Sequence, residues 1–335
     1  MTASAGFVKE NSHLELGIEM DQRCVSTDTL NFGPEEIAKT FDVPVHELPP
    51  SCLEYLARCD MRFRYLRGQE REQIILKVLR VLNQPLEISG PARKARWESG
   101  WSENLEGFIK SGFDLTELLP KYYKPGEIMR WNGEYLLPLE GKFEVYIFTI
   151  LRLWLFNTYF RTVSHVYEFG CGTGHNLVVL RNLFPEKQLI GLDWAQSSQE
   201  TLALLNQKLG LGVEGGVFDM FTPDASFPIV PHGGVLTMGA LEQLGSSYLP
   251  FVEFLLQKKP AICVHVEPIF ELYDQTKLFD YLGASYHQKR GYFKEFLTTL
   301  RTLEAQGVIE ILKIRKTLGS MCSDGYTMIA WKPLS

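Results

Sequence analysis

The pattern of hydrophobic and polar positions changes character near residue 160. Beyond that point short apolar runs alternate with amphipathic stretches to the end of the chain. His165, Val166 and Tyr167 begin a strand that Glu168 closes. Leu177, Leu180, Leu183 and Phe184 then fall on one helical face, and Pro185 stops the helix. Gln188–Asp193 reads as a second strand. Ser197–Leu209 reads as a helix, with a capping box from Ser197 to Glu200 and Gly210 as its C-cap. Val213–Met220 and Gly233–Ala240 are the third and fourth strands, Tyr248–Lys259 a helix, and Ala261–Val266 the fifth strand. Helices are expected over Gln275–Leu282 and Gly291–Gln306, the latter striped by Phe293, Phe296, Leu297, Leu300 and Leu303. Val308–Lys316 and Tyr326–Lys332 close the chain as strands. Such alternation predicts an α/β fold with a doubly wound, largely parallel sheet.

The first half is less regular. Residues 1 to 30 show no periodicity and read as a loose arm. Gly33-Pro34-Glu35-Glu36 starts a short helix, and Glu70–Leu82 a longer one with Ile74, Ile75, Val78, Leu79 and Leu82 on one face. Residues 97 to 125 scatter Trp97, Trp101, Phe108, Phe113, Tyr122 and Tyr123 among polar positions. Asn132-Gly133, flanked by Met129-Arg130-Trp131 and Glu134-Tyr135-Leu136, predicts a type I′ hairpin. Lys142–Phe160 reads as a buried helix feeding directly into the first strand. Residues 31–141 therefore form a mainly helical cap docked on a domain spanning 142–335. The hairpin is either a brace or a lid carrying Arg130, Trp131 and Tyr135 to a substrate.

Composition narrows the function classes. Hydrophobic content of 45% and 22% charge are ordinary for a globular protein, and the net charge is −6. There are 20 Lys/Arg against 23 Asp/Glu before residue 164 and 14 against 17 after it, so each half carries −3. No surface for tracking phosphates is implied, and nucleic acid is not expected as a partner. The greasiest run contains Glu144 and Arg152, which argues against a membrane span. Met1–Gly17 is polar, without the apolar core of a secretory signal. The six cysteines are scattered, with no C-x-x-C pair, so neither a disulfide framework nor a zinc site is expected; a reducing cytoplasm fits.

Candidate chemistry starts at Gly170-Cys171-Gly172-Thr173-Gly174, a G-x-G-x-G turn between the first strand and its helix. Glycines there let backbone approach a ligand and adopt dihedrals closed to other residues. A dinucleotide turn would place its third glycine five residues after the first; here it is four, which disfavours NAD. With Glu168 two residues ahead, the stretch resembles motif I of the class I S-adenosylmethionine (SAM)-dependent methyltransferases. The resemblance covers about residues 160 to 333. It implies a seven-stranded sheet whose last strand runs antiparallel between the fifth and sixth.

The resemblance also implies that the turn holds the methionyl part of SAM, with Glu168 near its ammonium. Asp193, 19 residues past Gly174, suits the ribose hydroxyls, and Trp194 beside it either covers the adenine or packs. The family implies an acidic side chain and a backbone N–H at the adenine, which here fall on Asp219 and Met220. After the fourth strand the chain reads Gly239-Ala240-Leu241-Glu242-Gln243-Leu244, without the Asn/Asp-Pro-Pro-aromatic signature usual for base and amide N-methylation. Glu242 and Gln243 stand where an acceptor should lie. Alternation puts His265 and Glu267 on one side of the fifth strand, as a base or acceptor-binding pair or as a core histidine and its neighbour. No third ligand for a metal is evident. Tyr273, His287 and Arg290 follow where relatives build a substrate wall. The reading is methyl transfer to a small molecule, oxygen slightly favoured as acceptor atom. A protein or peptide side-chain methyltransferase and a non-catalytic binding module are the alternatives.

Overall fold

The computed structural model describes residues 29–334; the arm expected over residues 1–30 lies almost wholly outside them. A two-residue strand β1 (Leu30–Asn31) precedes α1 (Pro34–Phe41) and α2 (Pro50–Leu56). Strand β2 (Arg62–Tyr65), α3 (Gly68–Asn83) and α4 (Lys94–Lys110) follow. Ile74 and Val78 of α3 are buried as expected, whereas Leu79 is exposed. Strands β3 (Met129–Trp131) and β4 (Glu134–Pro138) form the hairpin. Asn132 and Gly133 have φ of 49° and 80°, the left-handed pair a type I′ turn requires.

Helix α5 (Phe143–Tyr159) leads into β5 (His165–Phe169), α6 (His175–Leu183), β6 (Gln188–Asp193), α7 (Gln196–Leu209), β7 (Val213–Val217) and β8 (Gly233–Met238). The chain continues through α8 (Leu249–Lys258), β9 (Ile262–Val266), α9 (Leu278–Lys289), α10 (Phe296–Ala305), β10 (Ile309–Arg315), β11 (Leu318–Ser320) and β12 (Met328–Pro333). One sheet has the order β10-β12-β9-β8-β5-β6-β7. Strands β5 to β9 are mutually parallel, and β12 is antiparallel to both β9 and β10. Apolar clusters fill both faces, one with α5, α6 and α7, the other with α8 and α10. Among the described residues no helix is long and apolar enough to cross a membrane.

Three local features depart from the pattern. Helix α9 starts later and runs further than Gln275–Leu282, because an Asp274-Thr276 turn occupies its expected first residues. Gly283 does not stop it; a Cβ there would lie 2.6 Å from the Tyr273 ring, so packing demands the glycine. Helix α7 starts at Gln196, and its first N–H groups, on Gln196 and Ser197, donate to Glu98 of α4 at 2.7 and 3.0 Å. A residue some hundred positions away thus does the capping assigned to Ser197. Finally, β11 pairs with β3 and completes a second sheet, β1-β2-β4-β3-β11. The C-terminal part of the chain is therefore stitched into the N-terminal part by backbone hydrogen bonds.

Candidate active site

The carboxyl ends of β5, β6 and β8 open on a cleft lined by Gly170 of the glycine turn, Asp193, Trp194, Met220 and Gln243. Gly170 and Gly172 have φ of 73° and 52°. A Cβ on Gly170 would lie 2.3 Å from that of Ala240, and one on Gly172 would lie 2.8 Å from the Trp101 ring. Trp101 and Trp97, stacked 5.5 Å apart on α4, form the opposite wall. The sequence pattern recorded these tryptophans without placing them. Their signal was a pair of large rings four residues apart, one helical turn, on a helix whose ends the periodicity left undefined.

Asp193 is buried with both oxygens engaged. Oδ2 accepts from the Gly172 N–H and Oδ1 from the Ala195 N–H, each at 2.9 Å. Burial pushes its pKa up to about 6 against the pull of these bonds. A carboxylate has roughly four acceptor sites, so it can still accept from a ligand's hydroxyls while fixing the turn. Trp194 stacks on Phe221 and has the Lys94 ammonium over its ring. Asp219 is half-buried and accepts from the Phe221 N–H at 2.9 Å; the wall itself comes from its neighbours Phe218 and Met220.

Glu168 is 1% exposed, and burial pushes its pKa up to about 8. Its Oε1 accepts from Asn176 Nδ2 at 2.5 Å, and Asn176 Oδ1 accepts from Arg152 Nε at 2.5 Å. Asparagine thus holds a carboxyl and a guanidinium side by side without letting them pair. Glu168 Oε2 and Arg152 Nη1 are both buried and have no hydrogen-bond partner among the described residues. Cys171 is a buried neighbour whose thiol burial raises well above its ordinary pKa.

The loop after β8 is held from below. Glu267 is fully buried and accepts from the N–H groups of Ala240, Leu241 and Glu242 at 3.1–3.3 Å. Burial, and then the Glu242 carboxylate beside it, raise its pKa far above the ordinary range. Glu267 therefore positions the loop. Glu242 Oε1 accepts from Gln243 Nε2 at 2.9 Å, and Gln243 Oε1 accepts from Arg93 Nη1 at 2.9 Å. Glu242 Oε2 has no hydrogen-bond partner among the described residues. The residue preceding α4 thus orients a side chain of the cleft wall.

Other candidates stand elsewhere. His265 is 1% exposed between Phe296 and Trp331, with Nδ1 2.9 Å from Thr237 Oγ1, and burial lowers its pKa to about 3. It occupies the core, not the cleft wall, with Thr237 as its hydrogen-bond partner. His287 is equally buried, bonded through Nε2 to the Phe293 carbonyl, with its pKa lowered by burial to about 4. Tyr273 OH accepts from the Asp324 N–H, and Arg290 lies over Tyr292. Among the described residues no group of three His, Cys, Asp or Glu side chains is placed to hold a metal.

The three side chains of the hairpin are packed into the fold. Arg130 is fully buried, donates to Asp324 Oδ1 at 2.9 Å and to the Phe279 carbonyl at 3.0 Å, and lies 3.6 Å over the Phe279 ring. Trp131 donates to Thr40 Oγ1 at 2.9 Å, and Tyr135 packs on Phe279. None of the three lines the cleft. Arg130→Ala should lower unfolding free energy by about 3 kcal/mol, because it leaves Asp324 buried with only Lys316 for company. Denaturation should show that loss while ligand affinity per folded molecule stays unchanged.

A parallel sheet with its last strand antiparallel between β9 and β10, and a glycine turn after its central strand, decides the architecture. The fold is that of the class I methyltransferases. No family model matches the sequence, and no curated protein matches it. Solved structures similar to it include an O-methyltransferase family 2 protein from Planctomyces limnophilus in complex with apigenin, at 14% identity over 51% of each chain and TM-score 0.37. A SAM-dependent methyltransferase from Aquifex aeolicus is 18% identical over 51% of this chain and 82% of that one, TM-score 0.36. The small RNA methyltransferase HEN1 is 15% identical over 60% of this chain and 28% of that one, TM-score 0.44. The chain spans about half the length of the first of these. The methyltransferase fold rests on the strand order, not on these likenesses.

Proposed function

We propose that the chain is a cytoplasmic SAM-dependent methyltransferase acting on a small molecule. The observation that carries this is the junction of Asp193 with the glycine turn. A carboxylate at the end of β6 is bonded to the turn's own N–H, in a cleft where a Cβ on either Gly170 or Gly172 would collide. The orphaned buried atoms of Glu168 and Arg152 fit the cofactor's amino-acid end, the carboxyl facing an ammonium and the guanidinium a carboxylate. Asp193 suits the ribose, and Trp194 and Met220 the adenine.

The bound cofactor would supply an electrophilic methyl group. The protein's task is to align an acceptor and exclude water, and alignment alone can contribute on the order of 7–11 kcal/mol. Trp97 and Trp101 close one side of the cleft, and Gln243, held by Arg93, marks the side where an acceptor enters. Glu242, whose Oε1 accepts from Gln243 Nε2, is suited to take a proton. An even charge distribution and the missing base-methylation signature favour a small molecule over nucleic acid.

The pH dependence tests this reading. With its pKa near 8, the Glu168 carboxyl is almost wholly neutral at pH 6 and cannot pair with an ammonium. Affinity for S-adenosylhomocysteine should rise about twentyfold from pH 6 to pH 7.5, then turn over as the ligand's α-amino group loses its proton. Glu168→Gln should flatten the rise. Calorimetry giving the same slope in both proteins would remove Glu168 from the site.

A further inference from the structure

Helix α4 walls the cleft, and its two halves are held differently. The C-terminal half is rooted in the core: Leu105 and Phe108 are buried, and Asn104 Nδ2 donates to the Glu117 and Leu119 carbonyls at 2.7 and 3.0 Å. Between Lys94 and Glu103, by contrast, Gly100 is the one buried residue. Burial of apolar surface is the main cohesive term in a fold, so polar contacts and single rings must hold this half in place. The chain is pinned just before it, where the Ser89 N–H and Oγ donate to the Arg290 and Gly291 carbonyls at 2.7 and 2.6 Å. Gly90 follows with φ of 132°, and nothing lies within 4 Å of the place its Cβ would take. Gly112, past the other end of the helix, is equally open at φ of 76°. Glycines in open space can change their dihedrals without collision.

The contacts that hold the N-terminal half include four with the rim of the cleft. Glu98 accepts from the Gln196 and Ser197 N–H groups at the start of α7. Arg93, just before the helix, donates to Gln243, and the Lys94 ammonium lies 5.6 Å over the Trp194 ring. Trp101 sits on the glycine turn: three of its ring carbons lie 2.8–3.1 Å from the place a Gly172 Cβ would take. No ligand atom passes between that ring and the turn. Trp97 is stacked on Trp101, so the two rings move together with the helix.

We propose that the N-terminal half of α4 is a gate, latched shut by Glu98 on α7, that swings between Gly90 and Phe108 whenever a ligand enters or leaves the cleft. The proposal rests on the methyltransferase reading for the identity of that ligand. Opening gives the Glu98 carboxylate and its two N–H partners to water, which solvates all three, so the latch costs little to release. It lifts Trp97 and Trp101 away from the turn. Once the ligand is in place the latch is remade, and the two rings cover it. Glu98 is a positioning residue in this account: it touches no ligand and sets how long the cleft stays shut.

The test is stopped-flow mixing of the full chain with S-adenosylhomocysteine, read by tryptophan fluorescence. Glu98→Gln keeps an acceptor but loses the charge, so association and dissociation should both quicken about tenfold while their ratio stays unchanged. Glu98→Cys combined with Ser197→Cys ties the gate down, because Ser197 Oγ already lies 3.4 Å from the Glu98 carbonyl oxygen. Once oxidised, this double variant should bind at least about tenfold more slowly, and should release as slowly when loaded before oxidation. Dithiothreitol should restore fast exchange in the same sample, and wild-type protein carried through the same oxidation should not change. Equal exchange rates in the oxidised and reduced double variant, or a Glu98→Gln protein that only dissociates faster and binds more weakly, overturns the gate. Failure of S-adenosylhomocysteine to bind the wild-type protein overturns the methyltransferase reading instead.

Discussion

Gly172→Val is expected to abolish S-adenosylhomocysteine binding. The residue holds φ at 52°, where a β-branched side chain is strained by about 1–3 kcal/mol. Its Cβ would also sit 2.8 Å from the Trp101 ring, so either the turn or α4 must move. Movement of the turn breaks the Gly172 N–H bond to Asp193, and movement of α4 opens the cleft wall. Combining the change with Trp101→Ala separates the causes. Relief of the collision leaves the backbone strain and takes away part of the cleft wall, so the double variant should recover stability more than affinity. Wild-type affinity in Gly172→Val would remove the turn from the binding site.

Asp193→Ala is expected to have the second largest effect. Two charge-assisted bonds to ribose hydroxyls, each worth about 1.5–3 kcal/mol, disappear, so affinity should fall at least about tenfold. The same carboxylate also accepts from the Gly172 and Ala195 N–H groups in a buried place. Each unpaired donor costs about 1–3 kcal/mol, so the variant should lose thermal stability as well as affinity. Asp193→Asn keeps an acceptor for one N–H; it should recover stability more than affinity. Unchanged affinity in both variants would place the ribose elsewhere.

Much of the architecture was legible because local pattern and global fold agree. The apolar runs at β5, β6, β8 and β9, the Asn132-Gly133 turn and the left-handed Gly210 are decided by residues close in sequence. What could not be read was decided at a distance. Arg130 lies in a hairpin that reads as either a brace or a lid, and Asp324, 194 positions away, makes its burial possible. His265 stands at a strand end that suggests chemistry, but Phe296 and Trp331 close over it. Trp101 belongs to a stretch without clear helical ends, and its role appears only when Glu98, on the same helix, caps α7 and brings the ring onto Gly172. Strand β11 is three residues long and pairs with a hairpin nearly two hundred positions earlier, too little local pattern to register. The glycine turn was therefore visible in the sequence, whereas the ring that covers it was not.

The central claim is that the turn at the end of β5 binds an S-adenosyl ligand and not a dinucleotide. Calorimetry of the wild-type protein with S-adenosylhomocysteine and with NAD tests it directly. The account predicts one saturable site for S-adenosylhomocysteine and no measurable heat with NAD; saturable binding of NAD with none of S-adenosylhomocysteine would contradict it.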